Sequence, residues 1–238
     1  MILILTSSPC IPGSSHINPA NGFIKTLHRY VPRGARYLFI SASPFDFKQS
    51  EWAAWSMKAS LESCGLEFGE SAILDARTGQ YAAEFIQHSN FILLGGGHVP
   101  TQNHFIMMLG LRKLLKNYNG VVMGISAGSM NCADLVYLQP EEPGESIDPS
   151  FVRFAPGLGL TQTDILPHYQ TVKDNILDGK RLYEDITFAD SFGHRFYAMV
   201  DGSYLIRKTG KEYVHGDCWC IEGCQIRKIC GLEESIKL

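Results

Sequence analysis

Apolar residues fall along this chain in two rhythms: short continuous runs, and longer stretches in which they return every third or fourth position. The runs Ile2–Leu5, Tyr37–Ser41, Phe91–Leu94 and Val121–Ile125 are rich in branched and aromatic side chains and read as buried strands. Between them, Asn21–Tyr30, Glu51–Cys64, Tyr81–His88 and Thr101–Tyr118 carry the spacing of amphipathic helices. This alternation predicts an α/β fold with a mostly parallel sheet flanked by helices. Gly120 is expected to close the helix before the Val121 strand in the left-handed conformation.

Past Leu138 the pattern gives way to a polar, proline-bearing loop, Gln139–Ser150. From Arg195 onward, the short alternating segments Tyr197–Val200, Ser203–Arg207 and Glu212–Val214 are separated by Asp201-Gly202 and Thr209-Gly210. Asp-Gly between apolar runs predicts a hairpin, so antiparallel strands are expected at the C-terminal end. No internal repeat interrupts the pattern, and residues 1–238 read as one domain.

Composition narrows the function classes. Hydrophobic residues make up 45% and charged residues 19%, as in a globular protein, and the formal charge of −3 comes without a Lys/Arg run. That leaves no electrostatic footprint for nucleic acid or an anionic membrane, and a small molecule is the expected partner. Met1–Leu5 is shorter than the core of a signal peptide, and no run approaches the roughly 18 apolar residues of a membrane helix. A cytoplasmic protein is expected, with its 7 cysteines reduced.

The candidate chemistry centres on Val121-Val122-Met123-Gly124-Ile125-Ser126-Ala127-Gly128-Ser129. A strand, a serine among small residues and a helix start together form the elbow that exposes a nucleophilic hydroxyl. The new helix also directs backbone N–H groups at charge developing on a substrate oxygen. A second signal, Leu94-Gly95-Gly96-Gly97-His98, ends another strand, and its glycines leave backbone N–H groups unobstructed for an oxyanion.

A serine nucleophile needs a base, which a third group orients. Of 8 histidines, His168 in Asp164-Ile165-Leu166-Pro167-His168 follows a short apolar run, where a strand end would present it above the sheet. Glu141, Glu142, Asp164 and Asp134 are the candidates for the orienting acid, and the sequence does not choose among them.

These residues resemble the peptidase E family, the S51 serine peptidases that include dipeptidase E and cyanophycinase. The likeness runs from about Phe91 to Tyr169, through Gly95–Gly97, Gly124–Ser129 and Pro167-His168. It implies a class I glutamine amidotransferase-like, flavodoxin-like sandwich with antiparallel C-terminal strands. It implies a serine peptidase acting on short peptides, with Asp-X dipeptides as the family preference, and no cofactor or metal. By the same resemblance Ser126 is the nucleophile, His168 the base, and the Ala127 and Gly96 amides the oxyanion donors. Glu141 or Glu142 falls where the family usually has Asp. His98-Val99 stands where Asn-Thr is usual, which puts His98 among the candidate substrate-binding residues, and Ser129 replaces an alanine. Arg153, Lys173, Arg181 and Arg195 are the cations available to meet an acidic substrate residue.

Three other readings remain. An esterase of the α/β-hydrolase type would use a more distant histidine, such as His194 or His215. A non-catalytic protein on the same scaffold would hold a small anion at the glycine turn. A metal site at His215, Cys218, Cys220 and Cys224 lacks the usual Cys-x-x-Cys spacing.

Overall fold

The computed structural model describes residues 1–238. Each sequence run becomes a strand: β1 (Ile2–Thr6), β2 (Ala35–Ile40), β4 (Phe91–Leu94) and β5 (Val121–Ile125). A further strand, β3 (Phe68–Leu74), lies at the sheet edge, where its exposed Gly69 and Glu70 break the apolar signature. All five pair in parallel, in the order β1-β5-β4-β2-β3.

The helices follow the predicted stretches with shifted ends. α1 spans Phe23–Tyr30, and α2 spans Phe47–Ser63 and starts earlier than expected because Asp46 caps it by accepting from the Gln49 N–H. α3 spans Ala82–His88. The stretch expected as a single helix over 101–118 is two, α4 (Val99–Met108) and α5 (Leu111–Leu115), divided at Gly110, which has φ 65°. Gly120, expected in that left-handed state, has no positive φ. A Cβ there would meet Asn90 O at 2.6 Å, so close packing, not conformation, calls for glycine.

Alternate residues of the parallel strands face opposite cores. Leu3, Leu5, Leu38, Ile40, Ile92, Leu94 and Val122 pack against Phe105, Ile106, Leu111 and Leu115 of α4 and α5. Ile4, Tyr37, Phe39, Phe91, Leu93 and Met123 pack against Phe23 and Leu27 of α1 and Ala54 and Leu61 of α2. Burial on both faces is why the runs read as continuous rather than alternating.

Beyond β5 come α6 (Ala127–Met130), a ribbon of β6 (Leu135–Tyr137) with β7 (Phe154–Pro156), then β8 (Asp164–Leu166) and α7 (Tyr169–Val172). A small hairpin, β9 (Ile176–Leu177) with β10 (Lys180–Arg181), precedes β11 (Arg195–Met199). The remaining strands are β12 (Tyr204–Lys208), β13 (Lys211–His215), β14 (Cys218–Glu222), β15 (Gln225–Cys230) and β16 (Ser235–Lys237).

The expected antiparallel C-terminal strands are present. β12, β13 and β16 extend the main sheet beside β1, while β14 and β15 join β11 and β8 in a second sheet ordered β15-β14-β11-β8. Thr209-Gly210 is the two-residue turn between β12 and β13, both residues having positive φ. Asp201-Gly202 is a turn but not a hairpin, because β11 belongs to the second sheet and β12 to the first. The chain changes sheets at Asp201. No helix is long and apolar enough to cross a membrane.

Candidate active site

The carboxyl ends of parallel strands are where open α/β sheets present ligand sites, and here the ends of β1, β4 and β5 converge. Ser126 leaves β5 at φ 49°, ψ −114°, a conformation non-glycine residues rarely hold and one that costs ~1–3 kcal/mol. Its surroundings enforce it. The Ser126 N–H donates to the Thr6 and Ser7 carbonyls, each at 3.1 Å, and the Ser129 hydroxyl donates to Thr6 O at 2.8 Å. Ser129, where the family pattern has alanine, is thus a buried and satisfied brace for the elbow. A Cβ on Gly128 would sit 2.3 Å from Leu94 O, and one on Gly124 2.7 Å from the Ser129 backbone, so only glycine admits this approach.

The glycine turn after β4 lies beside the serine. A Cβ built on Gly96 would be 3.4 Å from Ser126 Cβ, and the Gly96 N–H makes no backbone hydrogen bond. Gly95 instead donates to Ile40 O at 2.9 Å, and Gly97 turns against Ala42. A buried amide chain fixes the turn to the elbow helix. Gln102 donates to Gly95 O at 3.0 Å, Asn131 donates to Gln102 at 3.1 Å, and Asn103 donates to Asn131 at 2.9 Å. The Ala127 N–H, first in α6, has no acceptor within its own helix.

His168 follows β8 with φ 59°, and its N–H donates to Ser7 Oγ at 2.7 Å. Its Nε2 lies 2.9 Å from Ser126 Oγ, and its Nδ1 lies 2.7 Å from Asp201 Oδ1. With the ring proton on Nδ1 toward the carboxylate, Nε2 accepts the serine hydroxyl. Asp201 also accepts from the Ser7 hydroxyl at 2.7 Å and from the Gln170 amide at 2.7 Å. Burial pushes its carboxyl up, but the hydrogen bonds from His168, Ser7 and Gln170 outweigh that and hold it below the usual carboxylate range. Asp201 therefore stays ionised.

The carboxylate found on His168 Nδ1 is Asp201 rather than any of the four acids expected there. Glu141 and Glu142 were expected beside the imidazole, yet neither side chain hydrogen-bonds it. Their backbone N–H groups instead donate to Glu145 Oε2, at 2.8 and 3.0 Å. Asp164 opens β8 while His168 lies past its far end, and Asp134 pairs with Arg112. His98, expected to touch substrate, directs Nε2 to Glu145 at 3.0 Å and Nδ1 to Thr101 at 2.8 Å, clamping the 140–148 loop to the glycine turn. Asp201 escaped sequence reasoning because Asp-Gly reads as turn chemistry. The available signal was topological: β8 and β11 are parallel neighbours, with Leu166 opposite Ala198, so residues just past their carboxyl ends must meet.

A cleft of about 370 Å³ opens on the His168 side, lined by Ser126, Gln139, Glu141, His168, Asn175 and Leu182 among others. Glu141 keeps solvent access, but its carboxyl is pushed up to about 7 by desolvation within the cleft, with neighbouring His98 pulling the other way and Glu145 adding to the rise. None of the four candidate cations lines this cleft: Arg153 lies 3.6 Å from Asp190, Lys173 3.9 Å from Asp174, Arg181 2.6 Å from Asp185 and Arg195 2.8 Å from Glu222. His194 stacks on Phe154 and His215 on Tyr204, and the histidine hydrogen-bonded to Ser126 is His168.

A strained serine at a strand-to-helix elbow, hydrogen-bonded to a histidine that a carboxylate holds, is the constellation of a serine hydrolase. The family follows from the sequence itself: residues 3–212 match peptidase family S51, and the chain belongs to that family of serine-type peptidases. A search of curated proteins finds no match. Solved structures that share the fold include the following two. A peptidase from an acI-B1 Actinobacterium superposes with TM-score 0.65 at 18% identity, covering 100% of this chain and 96% of its own. A putative peptidase E protein from Listeria monocytogenes EGD-e superposes with TM-score 0.56 at 16% identity, covering 96% of this chain and 97% of its own.

Proposed function

We propose that this peptidase hydrolyses short peptides through an acyl-enzyme on Ser126, with His168 as general base and acid and Asp201 as its orienting carboxylate. The observation that carries the reading is the unbroken relay of 2.9 Å from Ser126 Oγ to His168 Nε2 and 2.7 Å from Nδ1 to Asp201. As Oγ attacks the scissile carbonyl carbon, Nε2 takes the hydroxyl proton and Asp201 stabilises the imidazolium. The carbonyl oxygen gains the negative charge and is met by the Gly96 and Ala127 amides. Collapse breaks the C–N bond, and His168 returns the proton to the departing amine. Water, deprotonated by the same ring, then releases the acyl group and restores the serine.

The chain order Ser126, His168, Asp201 supports this reading over an α/β-hydrolase esterase, in which the acid precedes the histidine. Both sheets contribute, since Ser126 leaves the main sheet while His168 and Asp201 follow strands of the second, and we read residues 1–238 as one working domain. Seven free cysteines are compatible with action in the cytoplasm.

Incubation with a mixed dipeptide library, with liberated amino acids followed by mass spectrometry, tests the proposal. Wild-type protein should release free amino acids, and Ser126→Ala should lower the rate by at least about 10⁴-fold. No release by folded wild type, or equal release by the variant, would refute it and favour a ligand-binding role.

A further inference from the structure

A second cleft, of about 500 Å³, shares no lining residue with the cleft at His168 and ends at Gly95, Gly96 and Ile125, next to Ser126 in the chain and in space. Phe39, Trp52, Ala53, Met57 and Ile125 supply its apolar wall, and Gly95 and Gly96 line the end nearest the serine. Gly13, four serines and Cys10 complete the lining, and no charged residue takes part. It adjoins the reaction centre: Ile125 precedes Ser126, and a Cβ on Gly96 would be 3.5 Å from Ile125 Cγ2 and 3.4 Å from Ser126 Cβ. The Phe39 ring lies directly under the glycine turn, 2.6 Å from where a Gly95 side chain would begin. Trp52 is 66% exposed at the rim, a large indole left in water beside an apolar hollow.

The direction of the reaction decides which part of a substrate lies here. His168 Nε2 must hand its proton to the departing amine, so the leaving residue lies on the His168 side. The carbonyl oxygen points at the Gly96 and Ala127 amides. The acyl residue is left the cleft that His168 does not line, beside Ile125 and Gly96.

We propose that this cleft is the acyl-side specificity pocket and takes an uncharged apolar side chain of the size of Leu, Met or Phe. An acidic acyl residue would lose its hydration among Phe39, Trp52 and Met57 without any cation to replace it. The inference rests on the serine-peptidase reading of Ser126, and its test separates the two.

The test is a series of aminoacyl-p-nitroanilides that differ only in the acyl residue, Leu, Met, Phe, Ala, Asp and Lys, run beside covalent labelling of Ser126 by a fluorophosphonate. kcat/KM for Leu, Met and Phe should exceed that for Ala and Asp by about 10–100-fold. Trp52→Ala, at an exposed position where folding is not at stake, and Met57→Lys should both shrink the Leu-to-Ala ratio several-fold. A labelled Ser126 with Asp preferred, a flat series, or a ratio untouched by both variants would overturn the pocket assignment and leave the hydrolase standing. An unlabelled Ser126 with no nitroaniline released would bring down the hydrolase reading and the inference together.

Discussion

Ser126 and His168 both hold positive φ, 49° and 59°, and neither is a glycine. Strain of this kind persists only where neighbours over-determine it, and Ser7 links the two: its carbonyl takes the Ser126 N–H, and its hydroxyl bridges the His168 N–H to Asp201. Asp201 and Asp164 divide by environment. Asp201, fed by three donors, stays charged, whereas Asp164 at the start of β8 is pushed up to about 7 by burial. For Asp164 the unfolded chain ionises from about pH 4 and the folded protein only near pH 7, so the residue costs stability above about pH 4, and the cost is full above about pH 7. Asp164→Asn should therefore melt with wild type near pH 3.5 and above it at pH 8, a gain of at most about 4 kcal/mol. Thermal melts across that range check it, and an equal gap at both ends would contradict the desolvation account.

Between elements, the site depends on how closely α6 approaches β4. Gly128 sits against the Leu94 carbonyl, with 2.3 Å left for any added Cβ, and the buried Gln102–Asn131–Asn103 chain ties the glycine turn to the same helix. Backbone, not a flexible side chain, lies in the way. Gly128→Ala should destabilise the protein by about 1–3 kcal/mol through forced displacement of the elbow, read from urea unfolding midpoints. A variant of wild-type stability would mean the elbow packs more loosely than described. The continuous runs at Ile2, Phe91 and Val121 made the central strands legible, because burial on both faces leaves no polar alternation. Edge strand β3 was not legible, since its solvent-facing Gly69 and Glu70 dilute the apolar signal.

At the scale of the whole molecule, the two sheets meet over the site. Ser126 and His168 could be read locally, one from small residues after a strand and the other from its place past a short run. Asp201 could not, because its place beside His168 depends on β11 pairing with β8 rather than with β12, a long-range choice that Asp-Gly spacing does not encode. The glycine turn was legible as a motif, but only the packing of Phe39, Trp52 and Met57 beside it reveals an apolar cleft.

The measurement that bears most directly on the relay is the rate at which a fluorophosphonate modifies Ser126, followed by peptide mass spectrometry in wild type, Asp201→Asn and Glu142→Gln. The account predicts modification of Ser126 in wild type, a near-wild-type rate in Glu142→Gln, and a fall of up to about 10⁴-fold in Asp201→Asn, whose amide stabilises the wrong imidazole tautomer. Undiminished labelling of Asp201→Asn, or loss of labelling in Glu142→Gln instead, would contradict it.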